Sequence, residues 1–165
     1  MDGFTTCLWF DDQAEEAAEF YCSVFPDSRV TSTIPYGEAG PGEPGTTMVV
    51  NFELNGQKFQ GINGGPLFTF SEAVSVQVDV DGQDEVDHYW NILTADGGQE
   101  SQCGWLKDKY GFSWQIIPVQ LGKAFENATS PEASKRVMEA MLGMKKIDVA
   151  ALEAASAALG ARAPF

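Results

Sequence analysis

At 165 residues with a formal net charge of −14, the chain has room for one well-packed domain or two small modules sharing a core. The acidity excludes a nucleic-acid phosphate backbone as a partner, because Lys145-Lys146 is the only basic cluster. An apolar content of 44% with four tryptophans excludes a disordered chain, and no apolar run approaches membrane length.

Thr5 to Phe10 reads as a strand with Leu8 and Phe10 on one face and Cys7 and Trp9 on the other. Asp12 and Glu15 predict a capping box for a helix from Gln13 to about Phe25, apolar along Ala14, Ala17, Ala18, Tyr21, Val24 and Phe25. Arg29 to Tyr36 is a second strand. Gly37 to Gly45 holds too many glycines and prolines for regular structure; the loop is long enough to be a flap over a site, or equally a tolerated surface loop. Strands 46–54 and 57–62 meet at Asn55-Gly56, a strong hairpin signal, and Asn63-Gly64-Gly65-Pro66 is a turn. Val74 to Val80 alternates four valines with Ser75, Gln77 and Asp79. Asp84 to Thr94 is a second helix with Val86, Tyr89, Trp90 and Leu93 inward, and His88 at a polar, surface position.

Cys103 to Pro118 predicts two short strands around the polar turn Lys107-Asp108-Lys109-Tyr110-Gly111. On the second strand Trp114 and Ile116 point one way, and Ser113, Gln115 and Ile117 the other. Gln115 is an uncharged hydrogen-bonding group among large apolar neighbours, a setting that calls for a partner or a cavity. After Pro118 the pattern turns helical. Ser130-Pro131 caps one helix with an apolar stripe of Val137, Met138, Met141 and Leu142. Asp148 caps a last one with Val149, Leu152 and Leu159 inward, stopped by Gly160.

The order of elements repeats. Gly56, Phe59, Gln60 and Ile62 superpose on Gly111, Trp114, Gln115 and Ile117. Upstream, Asp12, Glu16, Ala17, Phe20, Tyr21 and Val24 match Asp81, Glu85, Val86, Tyr89, Trp90 and Leu93. Two matches in the same order indicate an internal duplication. The fold class predicted is α+β: tandem βαβββ modules, about 4–66 and 72–120, forming one curved mixed sheet over residues 1–120. A helical extension, 121–165, packs outside it.

Such a tandem resembles the vicinal oxygen chelate superfamily, the fold of glyoxalase I, extradiol dioxygenases and bleomycin-resistance proteins. The set Asp12-x-x-Glu15-Glu16-Ala17 with Phe20-Tyr21, Asn63-Gly64-Gly65-Pro66, Gln83-x-Glu85-Val86-Asp87-x-x-Trp90, and Cys103-Gly104-Trp105-Leu106 through Trp114-Gln115-Ile116 is similar to its PhnB-like group. That group carries the label of a demethylubiquinone methyltransferase, yet the strand–Gly-rich turn–helix that would hold S-adenosylmethionine is missing from the sequence.

In metal-using members, the resemblance implies, four inward positions supply His, Glu or Gln to a divalent ion. They fall at or near Cys7, Gln60, Ser75 and Gln115, a poor ligand set for such an ion. No metal and no other cofactor is expected. The expected site is a cavity with neutral polar walls and rings, made by Cys7, Trp9, Gln60, Phe68, Ser75, Gln77, Trp105 and Gln115.

Three readings follow. The first is a metal-independent binder of a small, partly aromatic molecule. The second is an enzyme of lyase, isomerase or transferase type, with Cys7 or Cys103 as nucleophile or Asp79 as base. The third is a structural dimer with Gln60 and Gln115 as interior hydrogen-bonders. A homodimer is expected, without membrane or nucleic-acid partners. Three cysteines without paired spacing, and the lack of a basic-then-apolar leader, point to the cytoplasm.

Overall fold

Alternating apolar residues build two mixed sheets of four strands each in the computed structural model, which describes residues 3–157. In chain order come β1 (Thr6–Phe10), α1 (Ala14–Val24), β2 (Arg29–Pro35), β3 (Thr47–Leu54) and β4 (Gln57–Asn63). The pattern then returns as β5 (Val76–Val80), α2 (Gly82–Thr94), β6 (Gln99–Glu100), β7 (Trp105–Lys107) and β8 (Ser113–Pro118). Three helices follow, α3 (Val119–Asn127), α4 (Pro131–Leu142) and α5 (Val149–Ala157). The tandem βαβββ α+β class expected from the duplication is what the chain forms. It divides into two compact units between Phe70 and Ser71.

In the first unit the strand order is β1-β4-β3-β2, with β1 parallel to β4 and the other pairs antiparallel. Leu8, Phe10, Val50, Phe52 and Phe59 are buried, as are Ala14, Ala17, Ala18 and Tyr21 of α1. Gly61 lets the helix come close: a Cβ there would stand 2.9 Å from Val50 Cγ1 and 3.1 Å from the Ala14 methyl. The hairpin turns through Asn55 and Gly56 at φ 46° and 80°, the left-handed pair that matches strand twist.

The expected Asp12–Glu15 capping box does not form. Gln13 is the N-cap residue and no side chain caps from it. The Ala14 N–H donates instead to Asn63 Oδ1 at 2.8 Å, and Glu15 accepts from the Thr47 hydroxyl at 2.7 Å. The cap comes from the end of β4, because parallel pairing of Phe10 with Asn63 brings that side chain to the start of the helix.

The second unit repeats this order as β5-β8-β7-β6. Val86, Trp90 and Leu93 of α2 are buried, as are Trp114 and Ile116 of β8. Val74 is 62% exposed and stands outside β5, which starts two residues later than expected. Pairing with β8 begins at Val76–Trp114, and on the other side of that strand the backbone of Phe112 is tied to Asp108 through both its N–H and its carbonyl. Asp108 is 2% exposed, and its carboxylate also accepts from Tyr110 N–H and, at 2.7 Å, from Trp114 Nε1. The turn is thus built around one buried anion.

The C-terminal helices pack within this unit around Ala124, Ala128, Ala133, Val137, Ile147 and Leu152. Ser130 and Asp148 cap α4 and α5 through Ala133 N–H and Ala151 N–H, as expected. Met138 and Leu142 do not join the stripe: they are 42% and 58% exposed. Ala133 and Val137, four residues apart, define the inward line of α4, and Met138 and Leu142 lie one residue off it. The expected inward Leu159 and the stop at Gly160 lie outside the described residues. No described helix is long and apolar enough to cross a membrane.

Candidate functional site

The open face of the first sheet carries one neutral polar row. Cys7 pairs with Gln60, Gln60 with Asn51 and Asn51 with Ser32, so one side chain comes from each strand. A β-bulge between Val30 and Ser32 re-aims β2 so that Ser32 falls in register. The row is linked end to end. The Cys7 thiol donates to Gln60 Oε1 at 3.7 Å, Gln60 Nε2 to Asn51 Oδ1 at 2.9 Å, and Asn51 Nδ2 to Ser32 Oγ at 3.0 Å. Two residues along the same strands lies an apolar row, Trp9, Ile62, Val49 and Ile34. The face grades from hydrogen-bonding to apolar within one strand repeat. Ser32 and Asn51, with Thr5, Thr31, Glu53 and Lys58, border a groove of about 310 Å³.

Trp9 is fixed by its own contacts. Its Nε1 donates to Gly65 O at 2.9 Å, its ring fills the place of a Gly64 side chain, and Phe68 meets it edge-on at 5.1 Å. Four expected site residues of this unit therefore form two pairs, Cys7–Gln60 and Trp9–Phe68. Asn51 and Ser32 were missed; the polar alternation on β2 and β3 was the signal, but the bulge hides their register.

On the second sheet Gln77, Gln115 and Trp105 stand in register across β5, β8 and β7. Gln115 Nε2 donates to Ser75 Oγ at 2.8 Å, and Gln77 Nε2 to Asp79 Oδ1 at 2.7 Å. The strand partner equivalent to Cys7 is Gln77, since Cys7 pairs with Gln60 and Gln77 with Gln115. Ser75 precedes β5 and reaches the row only through its hydroxyl. Nearby, Lys107 donates to Glu72 at 2.8 Å, and that hydrogen bond holds the Glu72 carboxyl below its ordinary range.

A wide cleft of the first unit lies elsewhere. About 870 Å³ opens between the start of α1 and the 37–45 loop, lined by Asp11, Asp12, Glu15, Tyr36, Glu43 and Asn63 among others. The Tyr36 hydroxyl donates to the Asn63 carbonyl, and the Gly45 N–H donates to the Tyr36 carbonyl, which pins the loop as a wall. None of the eight expected site residues lines it. Its carboxylates do not converge: among the described residues no three of His, Cys, Asp and Glu are grouped to hold a metal ion.

Nucleophile chemistry finds little support in these contacts. Cys7 meets a neutral amide, and Cys103, at φ 57°, is held through its backbone N–H to Met144 O. Burial pushes the Cys22 thiol above its ordinary value. His88 is exposed on α2, its ring edge-on to Tyr89.

A family model described as 3-demethylubiquinone-9 3-methyltransferase matches residues 2–117. The chain belongs to this family. A PhnB protein from Bacillus cereus described in the same words is 37% identical, over 72% of this chain and 100% of that one, with a TM-score of 0.65. Two remoter structures share the fold. PA1353 from Pseudomonas aeruginosa is 16% identical over 72% and 98% of the two chains, with a TM-score of 0.59. The fosfomycin resistance protein FosX from Listeria monocytogenes, in complex with Mn(II), is 14% identical over 71% and 92%, with a TM-score of 0.52. No curated protein matches the chain. The family match agrees with the PhnB-like motifs of the sequence.

Neither group that the family suggests fits the residues present. Hydroxyl and carboxamides do not neutralise a divalent charge, one thiol is far from the usual three or four strong ligands, and the Gln60 oxygen already accepts from Cys7. For S-adenosylmethionine, the adjacent glycines offer no cradle. The N–H groups of Gly64 and Gly65 are used by Phe10 O and Asp11 O, and the Trp9 ring occupies the space beside Gly64.

Proposed function

We propose that this PhnB-like protein binds a small, partly aromatic organic molecule without the help of a metal ion. Each unit offers its own contact residues, Cys7, Trp9, Gln60 and Phe68 on the first, and Ser75, Gln77, Trp105 and Gln115 on the second. The observation that carries the reading is the bonded row Cys7–Gln60–Asn51–Ser32 on an open sheet face, with an apolar row beside it. Uncharged side chains held in fixed orientations next to apolar surface suit a ligand with a ring and a few polar atoms.

Mass spectrometry of molecules that copurify with the protein tests this directly. A copurifying organic molecule is expected, lost on changing to Leu the glutamine of the unit that holds it, Gln60 for the first or Gln115 for the second, with no stoichiometric transition metal by elemental analysis. One tightly held zinc, nickel or manganese per chain, lost with Gln115→Ala, would overturn the metal-free reading. It would also favour an enzyme of lyase, isomerase or transferase type. The exposed Met138 and Leu142 further support a homodimer, since an apolar face of this kind is usually covered. The free thiols of Cys7, Cys22 and Cys103 fit a reducing, cytoplasmic setting.

A further inference from the structure

We propose that the row on the second sheet selects ligands that present hydrogen-bond donors, as amidines, amines and ureas do, over ligands that present acceptors. The proposal rests on the binding role given above to Gln77, Gln115 and Trp105. Its basis is the inventory of donors and acceptors that the row leaves over. Gln115 commits an N–H to Ser75 Oγ, and Gln77 commits an N–H to Asp79 Oδ1. The carbonyl oxygens of both amides have no hydrogen bond among the described residues. Asp79, two residues from Gln77 on the same face of β5, can only accept when ionised.

Counted by chemistry, the acceptor positions left on Gln77, Asp79 and Gln115 outnumber the free N–H groups. A carboxylate with one bond made still has several lone-pair directions, and each free amide oxygen has two. Lys107, on the same strand as Trp105, is already engaged by Glu72. An acceptor-rich ligand would therefore meet like partners, and its own polar atoms would lose water without replacement. A donor-rich planar group gains bonds to two oxygens at once, while an attached ring can lie against Trp105, the register neighbour of Gln115.

The test uses three ring probes of one shape, benzamidine, benzamide and benzoate, followed through the indole signal of Trp105 by NMR. Binding is expected in the order benzamidine, benzamide, benzoate, with at least about tenfold between the ends. Phenylurea should bind more tightly than its fully N-methylated form, which separates donor count from charge. Gln115→Leu and Asp79→Asn should each weaken benzamidine several-fold while leaving the thermal midpoint of the protein unchanged. If benzoate binds as well as benzamidine, or if Gln115→Leu leaves benzamidine affinity intact, the donor preference is overturned although the site stands. If none of the probes shifts Trp105, the binding role of this row fails with it. Shifts at Tyr36 and Thr47 instead would move the site to the acidic cleft and also overturn the proposal.

Discussion

At the scale of single residues, Asp108 shows how a buried charge can be structural. Its carboxylate gathers two backbone N–H groups and the Trp114 indole within one turn, and a carboxylate so bonded is stabilised as the anion. Asp108→Ala strands those donors and should cost about 3 kcal/mol in urea unfolding. Asp108→Asn should cost less, about 1–2 kcal/mol, because the amide keeps one acceptor. The cysteines offer a second residue-scale check. Cys7 is exposed, whereas Cys22 is half-buried and its thiol is held protonated to higher pH by burial. Iodoacetamide at mildly alkaline pH should modify Cys7 well before Cys22, as read by peptide mass spectrometry. Equal rates would mean that α1 opens readily.

At the scale of elements, Asn63 joins three pieces. Its Oδ1 caps α1 through Ala14 N–H, and its Nδ2 donates to Thr47 O at 2.9 Å on β3. Asn63→Ala should therefore destabilise the protein by about 1–2 kcal/mol. Asn63→Asp keeps the acceptor for the helix and loses only the strand bond, so it should fall between the two in denaturant midpoint. In the second unit Gln83 fastens the segment before α5 to α2, accepting from Val149 N–H and donating to Ile147 O.

Beside it, the Lys146 ammonium at 2.6 Å, with Gln83 in support, draws the Asp87 carboxyl below its ordinary value. A carboxyl depressed in the folded state stabilises above its unfolded pKa, and the gain is lost as pH falls through the folded one. Lys146→Met should thus cost under about 1 kcal/mol at neutral pH, since the pair is partly solvated. The difference from the parent should vanish below the ordinary aspartate range, as measured by urea titrations across pH.

For the molecule as a whole, the exposed pair Met138 and Leu142 bears on assembly. A dimer is expected by sedimentation at about 10 μM, an ordinary range for a specific interface. Met138→Asp with Leu142→Asp should yield a folded monomer, since both side chains already stand in solvent and add little to the helical core. A monomeric parent, or a double variant that stays dimeric, would remove this face from the account.

The sequence by itself determined the order of elements and most of their faces, because these depend on local periodicity. Leu8 and Phe10 against Cys7 and Trp9, the Asn55-Gly56 turn, the Ser130 and Asp148 caps and the twofold βαβββ order all follow from residues close together in the chain. It also brought Gln60 and Gln115 forward, since an amide between large apolar residues is conspicuous in any strand. Only the tertiary structure decided what those amides touch. Asn51 and Ser32 join the row through strand register and one bulge, which periodicity does not encode. The helix cap from Asn63 displaced the local Asp12–Glu15 box for the same reason: a partner 49 residues away reached the N–H first. Asp108 read as an ordinary turn residue, and its burial became visible only once Trp114 and the backbone of Phe112 closed over it. Local chemistry sets which groups are available, whereas the pairing of distant strands sets which of them meet.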